Sequence, residues 1–160
     1  MTDDSPVTDQ GIQAMIEIDT FLRGADGGFV PVASCTSAPA DLDYVEGAIR
    51  LTVDGQEVIG LEEWDYVDQL WAYIADMVTQ LHSSGHAQTH FPDQPIKLSF
   101  ETTGTRVLVT VKAGAETKRA SAPAEEFVRA LKKAGLVFFG KMNELAPGVS
   151  HHEAVRALSA

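Results

Sequence analysis

Ile16, Ile18, Thr20 and Leu22 fall on one side of an alternating run, IEIDTFL, which predicts a strand. RGADGG, residues 23–28, turns the chain, and FVPVAS, residues 29–34, returns it. Pro31 cannot donate to a ladder, which assigns this second strand to a sheet edge. TSAPADLD, residues 36–43, reads as loop. YVEGAIRLTV, residues 44–53, and QEVIG flank Asp54-Gly55, a pair that tolerates positive φ and marks a hairpin.

At Trp64 the period changes from two to between three and four. Trp64, Val67, Leu70, Trp71, Ile74, Met77, Val78 and Leu81 form one face of a helix of about five turns. Acids at its start favour the helix dipole, and Gly85 stops it. Residues 82–95 read as a long polar loop. IKLSFET and RVLVTVKA alternate again, with Thr103-Gly104 between them, and ETKRASA, residues 116–122, adds a short third strand. Ser121 and Pro123 mark a second helix start, followed by Phe127, Leu131, Ala134, Phe138, Met142 and Leu145 on one face. Gly135 and Gly140 leave open a break within that helix, and Pro147-Gly148 ends it.

The expected fold is therefore α+β. A mainly antiparallel sheet of six or seven strands carries two amphipathic helices on one face, in the order four strands, helix, two or three strands, helix. Residues 1–10 are expected to be disordered, 11–148 to form a single α+β domain, and 149–160 to be a flexible C-terminal tail. A chain of 160 residues suits one domain with an ordinary core, without disulfide or metal support.

Charge changes this picture more than composition does. The net charge of −11 is carried unevenly. Residues 1–90 hold 16 acids against Arg23 and Arg50, a local charge of −14, while residues 91–160 hold seven acids and ten bases, +3. So acidic a surface repels phosphates and anionic lipids, which argues against nucleic-acid and membrane partners, and it attracts a basic protein. The acidic N-terminus lacks the basic and apolar regions of a signal peptide, no run reaches the roughly 18 apolar residues of a membrane span, and Cys35 is the single cysteine. A cytoplasmic location is expected.

No catalytic motif is visible. There is no GxGxxG or P-loop, Asp41 and Asp43 read as solvated, and Cys35 reads as a small apolar residue. His86 and His90, with Asp93 nearby, give the one metal-like spacing, in the 82–95 loop. EEWDYVDQLW, residues 62–71, concentrates acids and aromatics at the start of the first helix. Its core-facing side takes Trp71, which leaves Glu62, Asp65, Tyr66, Asp68, Gln69, Tyr73 and Asp76 as the candidate partner-binding set.

EEWDYVDQLWAYIADMV, FPDQPIKLSFE and FVRALKKAGLVFFGKM followed by Leu145-Ala146-Pro147 resemble small bacterial immunity proteins of polymorphic toxin systems and their uncharacterised relatives. The resemblance covers about residues 44–147. It implies a non-enzymatic protein, with no cofactor, that binds and blocks a partner, such as a basic toxin. Two alternatives stand beside it: a small ligand- or metal-binding protein with its site at His86, His90 and Asp93, and a homo-oligomeric scaffold subunit.

Overall fold

The computed structural model describes residues 15–160. The expected disordered segment, residues 1–10, lies outside the described residues. The fold is α+β, but the strands divide into two antiparallel sheets instead of the single sheet expected, and there are three helices instead of two.

The first sheet is built from β1 (Ile16–Arg23), β2 (Phe29–Pro31), β3 (Glu46–Val53), β4 (Gln56–Ile59) and the two-residue β5 (Asp65–Tyr66). Its order is β2-β1-β3-β4, with β5 pairing the start of β3. Pro31 sits on the edge strand, where its missing N–H costs no ladder bond. The β3–β4 hairpin turns at Asp54 (φ 51°) and Gly55 (φ 82°), the positive-φ pair that its sequence predicts. The second sheet is a meander, β6 (His86–His90), β7 (Ile96–Thr103), β8 (Arg106–Ala113) and β9 (Glu116–Pro123). The sheets meet where β4 approaches β8 and β9.

Helix α1 (Val67–Ser84) follows the first sheet, α2 (Ala124–Leu145) follows the second, and α3 (His152–Ser159) closes the described chain. Gly85 ends α1 in the left-handed conformation, with its N–H donating to the Leu81 carbonyl. The buried positions of α1 are the predicted stripe with Ala75 added and without Trp64, which precedes the helix and is half-buried; Trp71 is fully enclosed. One hydrophobic core runs through the molecule. Ile18, Leu51 and Val53 of the first sheet and Leu98, Phe100, Val109 and Val111 of the second belong to the same cluster as both long helices. Trp71 stacks on Phe138 (6.5 Å between centroids), and Phe100 meets Phe127 edge-on (5.2 Å).

Helix α2 is continuous through Gly135. That glycine is no break but a point of close approach. A Cβ there would lie 2.6 Å from Leu158 Cδ1 and 3.0 Å from Trp71 Cζ3, so only hydrogen lets α1, α2 and α3 meet. Leu158 is buried and α3 packs on both long helices, so residues 149–160 do not form the flexible tail expected. Ala154, Val155, Ala157 and Leu158 supply the docking face.

Three polar side chains are buried among the described residues, and each joins parts of the fold. Thr20 Oγ1 accepts the indole N–H of Trp71 at 3.1 Å, tying β1 to α1. Glu63 Oε1 accepts from the Gly60 N–H (2.7 Å) and from Lys118 Nζ (3.0 Å), bridging the two sheets. Asp65 accepts backbone N–H groups of Tyr66 (2.7 Å), Asp93 (3.0 Å) and Gln94 (2.8 Å), fastening the β6–β7 connection to β5. The Gln94 amide also donates to the Trp64 carbonyl. Buried polar atoms persist only when bonded, and these three satisfy that condition between distant segments.

Candidate protein-binding surface

The pairing of Glu46 with Tyr66 sets Tyr66 beside the entrance to β3. The chain reaches that entrance through a turn in which the Asp43 N–H donates to Asp41 Oδ1 (2.9 Å). Tyr44 thereby lands on Tyr66, with ring centroids 5.1 Å apart and planes inclined by 54°. The Asp65 clamp holds the Asp93 backbone and so brings the Asp93 carboxylate towards the same ring. The Tyr66 hydroxyl is pushed above the ordinary tyrosine value, first by desolvation and then by the negative charges of Asp93 and Glu46.

The corner exposes apolar area as well as charge. Tyr44 is 56% exposed, Leu42 39% and Val30 36%. Of these, Val30 and Tyr44 edge a groove of about 650 Å³ that runs past Arg23 and Cys35. Arg23 is the cation of the corner, and its charge is engaged. It lies 3.6 Å from Glu46 and stacks over the Trp64 ring at 4.5 Å. Asp41, Asp43 and Asp93 are exposed around this arrangement and enter no ion pair among the described residues. Tyrosines inside an acidic rim make a surface that offers hydrophobic area, hydrogen bonds and a negative potential to a basic partner.

The seven residues singled out from the sequence are not one patch. Tyr66 belongs to the corner, while Glu62 is exposed on a short helical turn, residues 61–63, that precedes β5. Gln69, Tyr73 and Asp76 continue from Tyr66 along α1 at helical spacing, with Tyr73 37% exposed and Asp76 exposed. Asp65 is only 2% exposed and its carboxylate is filled by backbone donors, so it holds the fold and does not present itself to a partner. Asp68 is half-buried beside His151. Burial raises its carboxyl above the ordinary range, opposed by the Gln69 N–H and by His151. The same burial lowers His151, with Asp68 opposing, and His151 Nε2 has no hydrogen-bond partner. Tyr44, Leu42 and Glu46 went unnoticed in the sequence. The one available signal was the acid-rich approach to a strand in ADLDYVEG.

The histidine set is not assembled. The expected loop at 82–95 contains strand β6, with His86 opposite Glu101 and His90 opposite Lys97. Four residues along a strand separate the two imidazole positions by about 13 Å, too far to share an ion. No group of three or more His, Cys, Asp or Glu placed to hold a metal occurs among the described residues. The Cys35 thiol is half-buried and pushed up by that burial, with Lys141 opposing. No helix among the described residues is long and apolar enough to cross a membrane. Comparison with protein-family models, curated proteins and solved structures gives no match.

Proposed function

We propose that this chain is a non-enzymatic protein-binding module of the immunity or inhibitor kind, which acts in the cytoplasm by binding a basic protein such as a toxin. The observation that carries this reading is the contact of exposed Tyr44 with half-buried Tyr66, set among Glu46, Asp93 and the Asp41–Asp43 turn. The partner's cations meet carboxylates whose positions are fixed by β3, β5 and the β6–β7 connection, so little ordering is needed on binding. The stripe of Gln69, Tyr73 and Asp76 extends the contact along α1.

The test is a comparison of the wild-type chain with a Tyr44→Ala/Asp93→Lys variant as baits in lysate of the native host. Both changed side chains lie outside the core, so the variant keeps its thermal midpoint. Wild type is expected to retain one basic protein in stoichiometric amount. The variant is expected to lose at least tenfold in affinity for it, about 1.4 kcal/mol. Equal retention by the two baits, or the absence of any basic partner, rejects the acidic corner as a binding surface.

A further inference from the structure

The second sheet lays one face on the core and leaves the other open. Leu98, Phe100, Val109 and Val111 supply the inward face. Alternation therefore puts Lys97, Ser99, Thr110 and Lys112 on the outward one. The register lines up His90, Lys97 and Lys112 side by side on β6, β7 and β8. Arg119 of β9 stands in the next row, opposite Thr110. His90, Lys112 and Arg119 are exposed and Lys97 is half-buried. None of the four enters an ion pair among the described residues. Glu101, the one carboxylate of these strands that alternates outward, lies four residues along β7 from Lys97, about 13 Å away. Glu116 shares its row with Ala113 and Ile96, on the inward side. Like charges directly opposite each other destabilise a sheet, so the Lys97–Lys112 pair adds nothing to the fold and is relieved by an anion from outside.

An open sheet face lacks the concavity of a small-ligand site. This one also carries no Phe, Tyr or Trp on which a nucleic-acid base would stack. Its counterpart is an acidic protein surface, and every copy of this chain presents one. His90 and Lys97 are the last pair before the connection 91–95, and that connection carries Asp93 into the acidic corner. Three residues separate His90 from Asp93, at most about 11 Å of chain. The cationic row and the acidic corner therefore adjoin. Adjoining patches of opposite sign are complementary to themselves: about a two-fold axis, the row of each copy meets the corner of the other and the pair closes. We propose that the chain forms a two-fold homodimer in which Lys97 and Lys112 of each copy meet Asp43 and Asp93 of the other. Exposed Tyr44 and Leu42 add apolar area, but the contact is mostly polar, which makes the dimer weak and sensitive to salt. The dimer covers the corner, so a second copy competes with the basic partner proposed above. The inference uses the carboxylates of the corner without resting on that partner, and its failure leaves the partner-binding reading intact.

Sedimentation velocity of the purified chain, with no other protein present, tests it at low and high ionic strength. Wild type is expected to dimerise at low salt with a Kd of about 10–100 μM and to lose at least tenfold in affinity at high salt. Lys97→Glu/Lys112→Glu and Asp43→Lys/Asp93→Lys each set like charges against like across both contacts, and each variant alone is expected to be monomeric at an unchanged thermal midpoint. Mixed together, the two variants match opposite charges at both contacts, so the mixture is expected to recover the dimer. If a double variant unfolds, its single-site versions decide in its place. A wild type that stays monomeric at ten times the expected Kd overturns the proposal. So does a dimer that ignores salt or survives either variant, a mixture of folded variants that stays monomeric, or growth into species larger than a dimer.

Discussion

Replacing Asp65 by alanine separates a residue that holds the fold from one that meets a partner. Its carboxylate accepts three backbone N–H groups, at 2.7 Å from Tyr66, 3.0 Å from Asp93 and 2.8 Å from Gln94. A hydrogen bond to a charged acceptor contributes roughly 1.5–3 kcal/mol net. The Tyr66 bond is local, so the two long-range bonds, joining segments 28 and 29 residues apart, carry most of the effect. Asp93 is exposed and its N–H regains water once the loop loosens, which removes part of the penalty. The expected loss for Asp65→Ala is then about 3 kcal/mol, and Asp65→Asn, which keeps one carbonyl oxygen, falls between it and wild type. Urea unfolding followed by tryptophan fluorescence measures the loss, with exposed Asp76→Ala as a control expected within about 0.5 kcal/mol of wild type. Hydrogen exchange adds a local readout, since the Asp93 and Gln94 amides lose protection before the rest of the domain. A loss under about 1 kcal/mol with those amides still protected would refute the clamp. A variant of unchanged stability that no longer binds its partner would return Asp65 to the interface.

Thr20→Val removes the acceptor of the enclosed Trp71 indole N–H and is expected to cost about 2 kcal/mol in urea unfolding, although volume and β-branching are conserved. Gly135→Ala improves helix propensity by about 1 kcal/mol but sets a methyl 2.6 Å from Leu158 Cδ1; it is expected to destabilise wild type and to cost less in a Leu158→Ala background, as a double-mutant cycle shows. His151 titrates below its ordinary 6.5 when folded, so the unfolded chain binds the extra proton and stability falls as pH drops below 6.5; His151→Phe is expected to flatten that limb of the pH–stability curve. Asp68 titrates above its ordinary 3.8 when folded, so its charge costs stability at neutral pH and the cost fades as pH falls into the raised range; Asp68→Asn is expected to raise the thermal midpoint at pH 7.

Elements with a strong period were legible in the sequence. The alternation of β1, β7 and β8, the Asp54-Gly55 turn and the stripe of α1 appear as the pattern predicts. The division into two sheets was not legible, because alternation records which face of a strand is buried, not which edges pair. Strand β6 was hidden for a related reason. HAQTH turns only Ala87 fully inward, which leaves no apolar alternation to detect. Gly135 misled in the opposite direction. Its propensity cost argues for a break, yet the packing of Trp71 and Leu158 against its bare Cα is what holds the three helices together. Helix α3 buries mostly small residues and one leucine, too little to distinguish it from a tail before its docking surface exists.

The candidate surface shows why net charge alone locates a site poorly. Continuing the helical step of α1 back to Asp65 gives it an outward position, but Asp65 lies in β5, one residue before the Tyr66 cap, where the 100° step does not apply. Tyr73 and Asp76 lie inside the helix, where that step applies, and are exposed. The acids of the first half divide by role once the fold is known. Glu63 is matched by Lys118 and Asp65 by backbone donors, while Asp19 and Glu46 sit beside Arg50 and Arg23. Each of these is at least partly neutralised within the molecule. Around Tyr44 and Tyr66, Asp41, Asp43 and Asp93 are exposed and enter no ion pair among the described residues, and Asp93 comes from the basic half. A charge count by sequence halves assigns that carboxylate to the wrong side. The negative potential that a basic partner meets is a property of the tertiary corner, created when the Asp65 clamp carries Asp93 across to Tyr66.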